Sequence, residues 1–351
     1  MQLLELQVKN LRCLADAQLR PQPGINFILG DNGDGKTSLL EAIHILSRAQ
    51  SFRGTSQRRL IRDNTEELIV FGRLQLVDQS PFTIGVARRA NQLRFKLNGE
   101  TGIRVLDLVR SLPIQVISPG LHALLERGPS QRRRFMDWGV FHVEQGFYPL
   151  WQRYHRALRQ RNAALRKKQP WSDIAIWDSE IAQTAEHMHE QRLVHIRQLQ
   201  AAAGVCLATD EAGFVYNRGW PDDISLDAQL HKNRERDLRA GYTTAGPHRA
   251  DLNLSWQGRN ALESASRGEQ KRLISHLLLM QAQIVGEATG RPPLLLVDDM
   301  AAELGEQYRE DFLQAVDDSG MQAFLSFLEV GQIPAPWRKK TMFHVKQGVI
   351  Q

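Results

Sequence analysis

Gly30-Asp31-Asn32-Gly33-Asp34-Gly35-Lys36-Thr37-Ser38 is the stretch that decides how the rest of this chain is read. It fits the phosphate-binding pattern G-x-x-x-x-G-K-[ST]. Ile25-Asn26-Phe27-Ile28-Leu29 precedes it and reads as a short buried strand. Ser38-Leu39-Leu40-Glu41-Ala42-Ile43-His44-Ile45-Leu46 follows with helical apolar spacing. The loop is therefore expected between a strand and a helix. There its glycines let backbone N–H groups curl round a polyphosphate and the helix N-terminus adds a positive dipole. Every residue from Gly30 to Ser38 is a candidate nucleotide contact. Lys36 would reach the β- and γ-phosphates, and the Thr37 hydroxyl would ligate Mg²⁺. Asp34 brings a carboxylate close to phosphates, so it is expected to point outward and leave only its backbone to the site.

The bulk of the chain sets wider bounds. At 351 residues it can bury a substantial core and is expected to hold two lobes. Apolar residues make up 42% and charged residues 24%, ordinary values for a globular protein. No apolar run approaches a membrane span, and Met1-Gln2-Leu3-Leu4-Glu5 is not a signal peptide, which predicts a cytoplasmic protein with no membrane partner. Cys13 and Cys206 are the two cysteines and lie far apart, which suits a reducing compartment. A net charge of +6 is compatible with nucleic acid without proving it.

Along the chain, strands are expected at Leu3 to Val8 and Ile25 to Leu29, with a turn through Pro21-Gln22-Pro23-Gly24. Further strands are predicted at Glu67 to Phe71, Phe82 to Val86 and Leu93 to Leu97. A basic turn at Arg88-Arg89-Ala90-Asn91 separates the last two, and Asn98-Gly99 is a hairpin signal. From Leu121 to about Ala203 the pattern turns helical. Between 151 and 170 there are seven Lys or Arg and no Asp or Glu. A second helix from Asp178 to about Ala208 completes an antiparallel helical arm, too short for a long coiled coil. A strand is expected at Asp251 to Trp256, and the last twenty residues are basic and uninformative.

Two later segments complete the nucleotide reading. Pro293-Leu294-Leu295-Leu296-Val297-Asp298-Asp299 is an apolar run ending in two carboxylates, as a phosphate-loop ATPase needs near Mg²⁺. Asp298 would hold the metal and Asp299 would act as general base. Ser266-Arg267-Gly268-Glu269-Gln270 opens a helix running through Met280, and this Ser-x-Gly-x-Gln turn resembles the signature motif of ABC-type ATPases. Physically it is a second anion site, with Ser266, Gly268 and Gln270 at a helix N-terminus. The resemblance implies that it binds the γ-phosphate held by a second subunit, so that ATP drives dimerisation and hydrolysis releases it.

Together these and other segments resemble the RecF family of bacterial DNA replication and repair proteins, from Leu6 to about Leu325. The resemblance is carried by Gly30 to Glu41, Ser51-Phe52-Arg53, Pro113 to Pro119 and Gly128-Pro129-Ser130-Gln131-Arg132-Arg133-Arg134-Phe135-Met136-Asp137-Trp138. It continues through Gln160 to Leu165, Thr244 to Leu252, Ser266 to Lys271, and Val297-Asp298-Asp299 with Ala302-Glu303-Leu304. It implies an α/β fold: an ABC-ATPase-like, SMC-head-like phosphate-loop lobe with an inserted, mainly helical second lobe and no long coiled coil. On that basis residues 1–118 and 273–351 are expected to form the ATPase lobe and 119–272 the second lobe. The resemblance also implies slow ATP hydrolysis with ATP and Mg²⁺, an ATP-dependent homodimer, and binding of duplex DNA next to a single-strand gap. The implied partners are RecR with RecO, and through them RecA recombinase. Gln115 is then a candidate catalytic glutamine sensing Mg²⁺ and water, and Arg12 a candidate nucleotide contact. Where family members have Asn after that arginine this chain has Cys13, and where they read Glu-Leu-Asp it reads Glu303-Leu304-Gly305. Ser326 stands where transporters carry a switch histidine, so histidine-switched catalysis is not expected.

Arg132, Arg133, Arg134, Arg153 and Arg161 are the candidate DNA contacts, because clustered guanidiniums give a counterion-release term. The bland alternative is a set of solvated helix faces. Arg53 is assigned to nucleotide, DNA or neither, and His248 to structure as readily as to function. A transporter ATPase subunit would share the three motifs, but the 230 residues between Lys36 and Ser266 exceed what it needs. An SMC-like DNA tether would need sustained heptads, and a kinase would have no use for the signature segment.

Overall fold

The computed structural model of the chain describes all residues except 55–56, 77–78, 91, 121 and 207–211, and also leaves undescribed the side chains of 57, 58, 204–206 and 303. The expectations for Asn91, Leu121 and Ala208 fall outside the described residues. Two compact units emerge, Met1–Leu121 with Gln281–Gln351, and His122–Met280.

The first unit begins with β1 (Gln2–Leu11), β2 (Leu14–Leu19) and β3 (Ile25–Leu29). Helix α1 (Lys36–Arg48), β4 (Glu67–Gln75), β5 (Phe82–Arg89), β6 (Gln92–Leu97), α2 (Val105–Ser111) and β7 (Ile114–Ile117) follow. Two sheets come out of this run. β2-β1-β4-β5-β6 is wholly antiparallel, and its strands alternate buried and open positions as one-faced sheets do. β3 instead is buried at all five positions and belongs to a second, mainly parallel sheet. Ile25 to Leu29 therefore does not pair with the first strand, and β2 is a strand that the sequence reading missed. Arg88 and Arg89, expected in a turn, are paired inside β5. Asn98 and Gly99, both at positive φ, do turn the chain back on itself.

Helix α1 lies between the sheets, and ten of its thirteen residues are buried. Its polar positions Ser38, Glu41, His44 and Ser47 are buried along with the apolar ones. Its apolar residues pack into the core with Leu6, Val8, Val70 and Phe324.

The second unit carries α3 (Ala123–Glu126), α4 (Pro129–Val143), α5 (Phe147–Arg166), α6 (Trp171–Ala175) and α7 (Asp178–Cys206). Then come β8 (Ala212–Asn217), α8 (Leu226–Lys232), α9 (Arg234–Ala240), β9 (Asp251–Trp256), β10 (Arg259–Asn260), α10 (Ala261–Ser264) and α11 (Arg267–Thr289). The division between the units falls within α11. In α5 the buried positions are Phe147, Tyr154, Ala157, Leu158, Arg161, Ala164 and Leu165, the 3–4 spacing of one helix face. Phe147, Tyr154, Ala157 and Leu158 share a core with Ile181, Ala185 and Met188 of α7.

The chain ends in the first unit with β11 (Leu294–Val297), α12 (Met300–Glu303), α13 (Glu306–Asp318), β12 (Ala323–Phe327), β13 (Thr341–Lys346) and β14 (Val349–Ile350). The second sheet runs β14-β13-β3-β12-β11-β7, parallel except for edge strand β14. The C-terminal segment, which the sequence left uninterpreted, thus flanks the central strand β3. Gly305, where the family pattern has Asp, is the N-cap of α13 at φ −58°, a conformation open to any residue. This fold is the α/β, ABC-ATPase-like and SMC-head-like class that the motifs implied.

Candidate nucleotide site and basic face

The phosphate loop joins the C-terminal end of β3 to α1, with φ of 155° at Gly30, 90° at Gly33 and 117° at Gly35. Positive φ at three glycines winds the backbone into a cradle that L side chains would strain. The first N–H groups of α1 have no partners within the helix and open onto this loop. Lys36 folds back on the loop, donating from Nζ to the carbonyls of Gly30 at 2.7 Å and Asp31 at 2.9 Å. Asp31, Asn32 and Gly33 are exposed, whereas Gly35 and Ser38 are buried. Asp34 keeps its carboxylate at the exposed side of the loop, and there it is engaged by backbone. Its carboxylate accepts N–H groups from Asp31 at 2.8 Å and Gln347 at 3.0 Å.

Strand β11 lies one strand away from β3, with β12 between them. Its end nevertheless reaches the loop, because Thr37 Oγ1 donates to Asp298 Oδ1 at 2.9 Å. In octahedral coordination at about 2.0–2.1 Å, neighbouring oxygens sit about 2.9 Å apart. Thr37 and Asp298 therefore fit two cis positions of one Mg²⁺. Among the described residues no group of three acidic, His or Cys side chains could hold a metal. A two-oxygen protein set completed by phosphate and water is the usual arrangement for Mg²⁺.

Burial raises the Asp298 carboxyl above its ordinary pKa, opposed by hydrogen bonds from Thr37 and Ser326 and by the nearby Arg53. Ser326 donates from Oγ to Asp298 at 3.0 Å and accepts the Asp299 N–H at 2.8 Å. It thus fixes both carboxylate residues from the intervening strand. Asp299 sits at φ 52°, ψ 56° at the start of α12, so the chain turns sharply after Asp298. Left-handed backbone at a non-glycine residue is strain of the kind found at functional sites.

Two more calls from the sequence need separate treatment. Gln115 is not in a loop: it lies within β7, buried, in register with Leu295. That register is three residues short of Asp298, about 10 Å along the strand, and the Gln115 amide donates to the Val116 carbonyl at 3.3 Å. Arg12 is engaged by Glu41 of α1, from Nε at 2.6 Å and Nη2 at 2.8 Å. Ser51 donates to the same carboxylate. Glu41 is wholly buried, so Arg12 and Ser51 compensate a charge inside the core. The sequence signal for Glu41 was available, as an acid set among the apolar residues of α1.

At the signature segment, Ser266 and Glu269 form a capping box, with the Ser266 N–H donating to Glu269 at 2.7 Å and the Glu269 N–H to Ser266 Oγ at 3.4 Å. Ser266 and Gly268 are exposed at this helix start. Gln270 departs from expectation: it is buried, and its amide donates to the carbonyls of Leu262 and Ala265 at 3.1 and 2.9 Å. It shapes the turn instead of facing a ligand.

The arginine assignments are revised most. Arg161 is fully buried, pairing with Asp178 and Asp237 at 2.7 Å each and donating to Thr243 at 2.9 Å. It cannot reach DNA. Arg132 is bidentate to Asp251 at 2.7 and 2.9 Å and also donates to Leu124 and Leu125 carbonyls. Arg133 donates to the Ala250 carbonyl at 2.7 Å. Both arginines knit α4 to the start of β9. Arg153 is half-exposed but bound to Glu180 through two bonds. Arg134 is exposed.

The structure offers other cations. Arg156 and Arg159 are exposed, and with Arg153, Trp151 and His155 they line a groove of about 570 Å³ along α5. Arg249 is exposed, with its guanidinium over the Tyr242 ring at 5.0 Å. Burial first, and then the charges of Arg159 and Arg133 at His155 and of Arg249 and Arg133 at His248, hold these two rings below their ordinary pKa. The rest of Gly246-Pro247-His248 is structural. His248 accepts from the Tyr154 hydroxyl at 2.5 Å, its other ring nitrogen donates to the Thr243 carbonyl at 3.0 Å, and the fully buried Arg192 donates to the Pro247 carbonyl while clamping Asp137.

Comparison with known proteins places the chain. The family model described as RecF/RecN/SMC N terminal domain matches residues 2–351. The chain is 37% identical over 357 residues to the DNA replication and repair protein RecF of Vibrio atlanticus (strain LGP32), covering all of this chain and 99% of the relative. It is 38% identical over 358 residues to that of Chromohalobacter salexigens, covering 99% of each. Among solved structures, one described as the recombination mediator protein RecF-ATP in the RecFOR pathway superposes with a TM-score of 0.86 at 25% identity, over 99% of this chain and 96% of that one. An Smc head bound to the C-winged helix domain of ScpA has a TM-score of 0.61 at 14% identity, over 100% of this chain and 97% of that one, a likeness of fold. Among the described residues no helix is long and apolar enough to cross a membrane. The chain belongs to the RecF/RecN/SMC N-terminal-domain family and, within it, to the RecF proteins of DNA replication and repair.

Proposed function

We propose that this chain is an ATP-modulated, DNA-binding protein of recombinational repair, acting in the cytoplasm. The observation that carries the reading is the 2.9 Å approach of Thr37 Oγ1 to Asp298 Oδ1, which joins the phosphate loop to the acidic strand at a spacing suited to one Mg²⁺. Full-length relatives named as RecF, and a RecF-ATP structure of the same fold, support it.

The loop amides and Lys36 bind the β- and γ-phosphates of ATP, Lys36 exchanging the Gly30 and Asp31 carbonyls for phosphate oxygens. Thr37 and Asp298 would hold Mg²⁺, which when bound would supply charge neutralisation at the phosphates. Asp299 orients and deprotonates the attacking water. Exposed Ser266 and Gly268 cap the γ-phosphate bound by a second copy of the chain, so ATP closes a homodimer and slow hydrolysis opens it. DNA, as duplex beside a single-strand gap, lies against Arg134, Arg156, Arg159 and Arg249, with Arg153 at the margin. RecR and RecO act with this complex to load RecA recombinase.

The test is DNA binding measured with ATP, ADP and no nucleotide. The reading requires ATP to strengthen binding and the Lys36→Ala variant to lose that response. Equal binding in all three states would overturn it.

A further inference from the structure

The C-terminal hairpin is built into the phosphate loop in a way that the nucleotide motifs do not require. Strand β13 runs parallel to β3, with His344 in register with Leu29, so it ends beside Gly30. The hairpin then turns through Gln347 and Gly348, at φ 48° and 81°. Two successive positive φ values are the mark of a two-residue type I′ turn, whose shape is fixed by the flanking strands. β14 pairs back on β13 through Val345 with Ile350 and Lys346 with Val349.

This turn sits on the loop. The Gly348 N–H donates to the Asp34 carbonyl at 2.8 Å, and the Gln347 N–H to the Asp34 carboxylate at 3.0 Å. The other carboxylate oxygen takes the Asp31 N–H at 2.8 Å. Asp34 therefore accepts three N–H groups, two from the hairpin and one from its own loop. The fit is close on both sides. A side chain at Gly30 would bring its Cβ to 2.2 Å from the Val345 carbonyl oxygen, and one at Gly348 to 2.3 Å from that of Cys13. A Cβ at Gly35 would meet Cys13 Sγ at 2.9 Å and Val345 at 3.5 Å. The loop is enclosed between the Cys13 corner and the hairpin, and only glycines permit the approach.

An acid inside a phosphate loop is unfavourable unless its charge is spent elsewhere. Here both carboxylate oxygens are turned to backbone amides, in charge-assisted bonds stronger than neutral ones. The same bonds draw the Asp34 carboxyl below its ordinary pKa, with Lys36 and Lys346 adding to the effect.

We propose that the Gln347-Gly348 turn is part of the nucleotide site: Asp34 is a positioning residue through which the hairpin holds the phosphate loop in shape to receive a nucleoside triphosphate. Holding works both ways by linkage, so a filled loop must also steady the hairpin. The inference rests on the reading that the loop binds ATP.

The experiment is amide hydrogen exchange of the peptide spanning residues 341–351, alongside equilibrium binding of Mg-ATP followed with an N-methylanthraniloyl-ATP probe. The wild-type chain should bind the probe and show ATP-dependent protection at the Gln347 and Gly348 amides. Asp34→Ala should lower affinity about tenfold, the effect of roughly 1.4 kcal/mol, and abolish the protection. Gly348→Ala, which leaves the loop sequence intact but forces the turn away from Cys13, should do the same. If wild type binds ATP with no protection of this peptide, the proposal is overturned while the ATP reading stands. If either variant folds, as judged by an unchanged near-ultraviolet spectrum, and binds ATP like wild type, the proposal is likewise overturned. If wild type binds no ATP, the reading of the loop and this inference fall together.

Discussion

Arg161→Ala separates a framework arginine from a DNA-binding one. Its guanidinium spans Asp178 and Asp237, at 2.7 Å from each, and has no exposed surface. Truncation would leave Asp237, itself fully buried, without its cation and, among the described residues, with the bonds from Thr244, at 3.0 Å to the N–H and 2.6 Å to the hydroxyl. Removing one partner of a buried pair costs about 3–5 kcal/mol, because the remaining charge is uncompensated. Units of 150–250 residues lose about 2–4 °C of Tm per kcal/mol, so the His122–Met280 unit should melt roughly 6–20 °C lower. Arg161→Lys should recover part of this loss, since an ammonium cannot reach both carboxylates with the planar fork of arginine. Differential scanning calorimetry reads the shift directly, with Arg159→Ala as an exposed control expected within about 0.5 kcal/mol of wild type. The reasoning is refuted if Arg161→Ala melts like wild type while losing DNA affinity.

Two predictions concern protonation. Burial lowers His44, His155, His195 and His248 from 6.5 to about 4. A depressed folded-state pKa means that the stabilising, neutral form is complete above pH 6.5 and lost as pH falls towards 4; urea midpoints should drop steeply over that window, and a flat profile from pH 7 to 5 would contradict the burial of these rings. Asp298 is shifted the other way, so its folded state holds a proton more tightly than the unfolded chain and loses stability as pH rises through the shifted window. Asp298→Asn should therefore raise Tm at pH 7 without nucleotide, while lowering Mg²⁺-dependent ATP turnover by more than about 100-fold; a lower Tm, or turnover near wild type, would count against the assignment.

What could be read from the sequence was what a few adjacent residues determine. The phosphate loop, the acidic strand end and the signature turn are each contiguous, and their strand–loop–helix settings follow from local patterning. Burial that depends on a partner far along the chain was not legible. Arg161 stood in a basic run and looked solvated, although its spacing of seven from Tyr154 placed it on the apolar stripe of α5. That stripe was the missed clue. Arg132 lost its apparent freedom to Asp251, 119 residues later. Gln115 carried a family role as a loop glutamine, and the structure places it inside a strand. Asp34 and the C-terminal hairpin were opaque for the same reason: their bond joins residues 313 positions apart. Ser326 was read only as the absence of a histidine, yet its hydroxyl serves both acidic residues.

The central claim is that ATP in the phosphate loop controls a grip on DNA through the exposed arginines. The most direct measurement is the affinity for gapped duplex DNA with ATP and with ADP across a salt series. Four phosphate contacts per chain, at Arg134, Arg156, Arg159 and Arg249, predict a slope of log K against log salt of about −3.6 for each protomer. The account predicts that slope, tighter binding with ATP than with ADP, and a shallower slope for an Arg156→Ala, Arg159→Ala double variant. Identical affinity with both nucleotides, or a slope untouched by that variant, would contradict it.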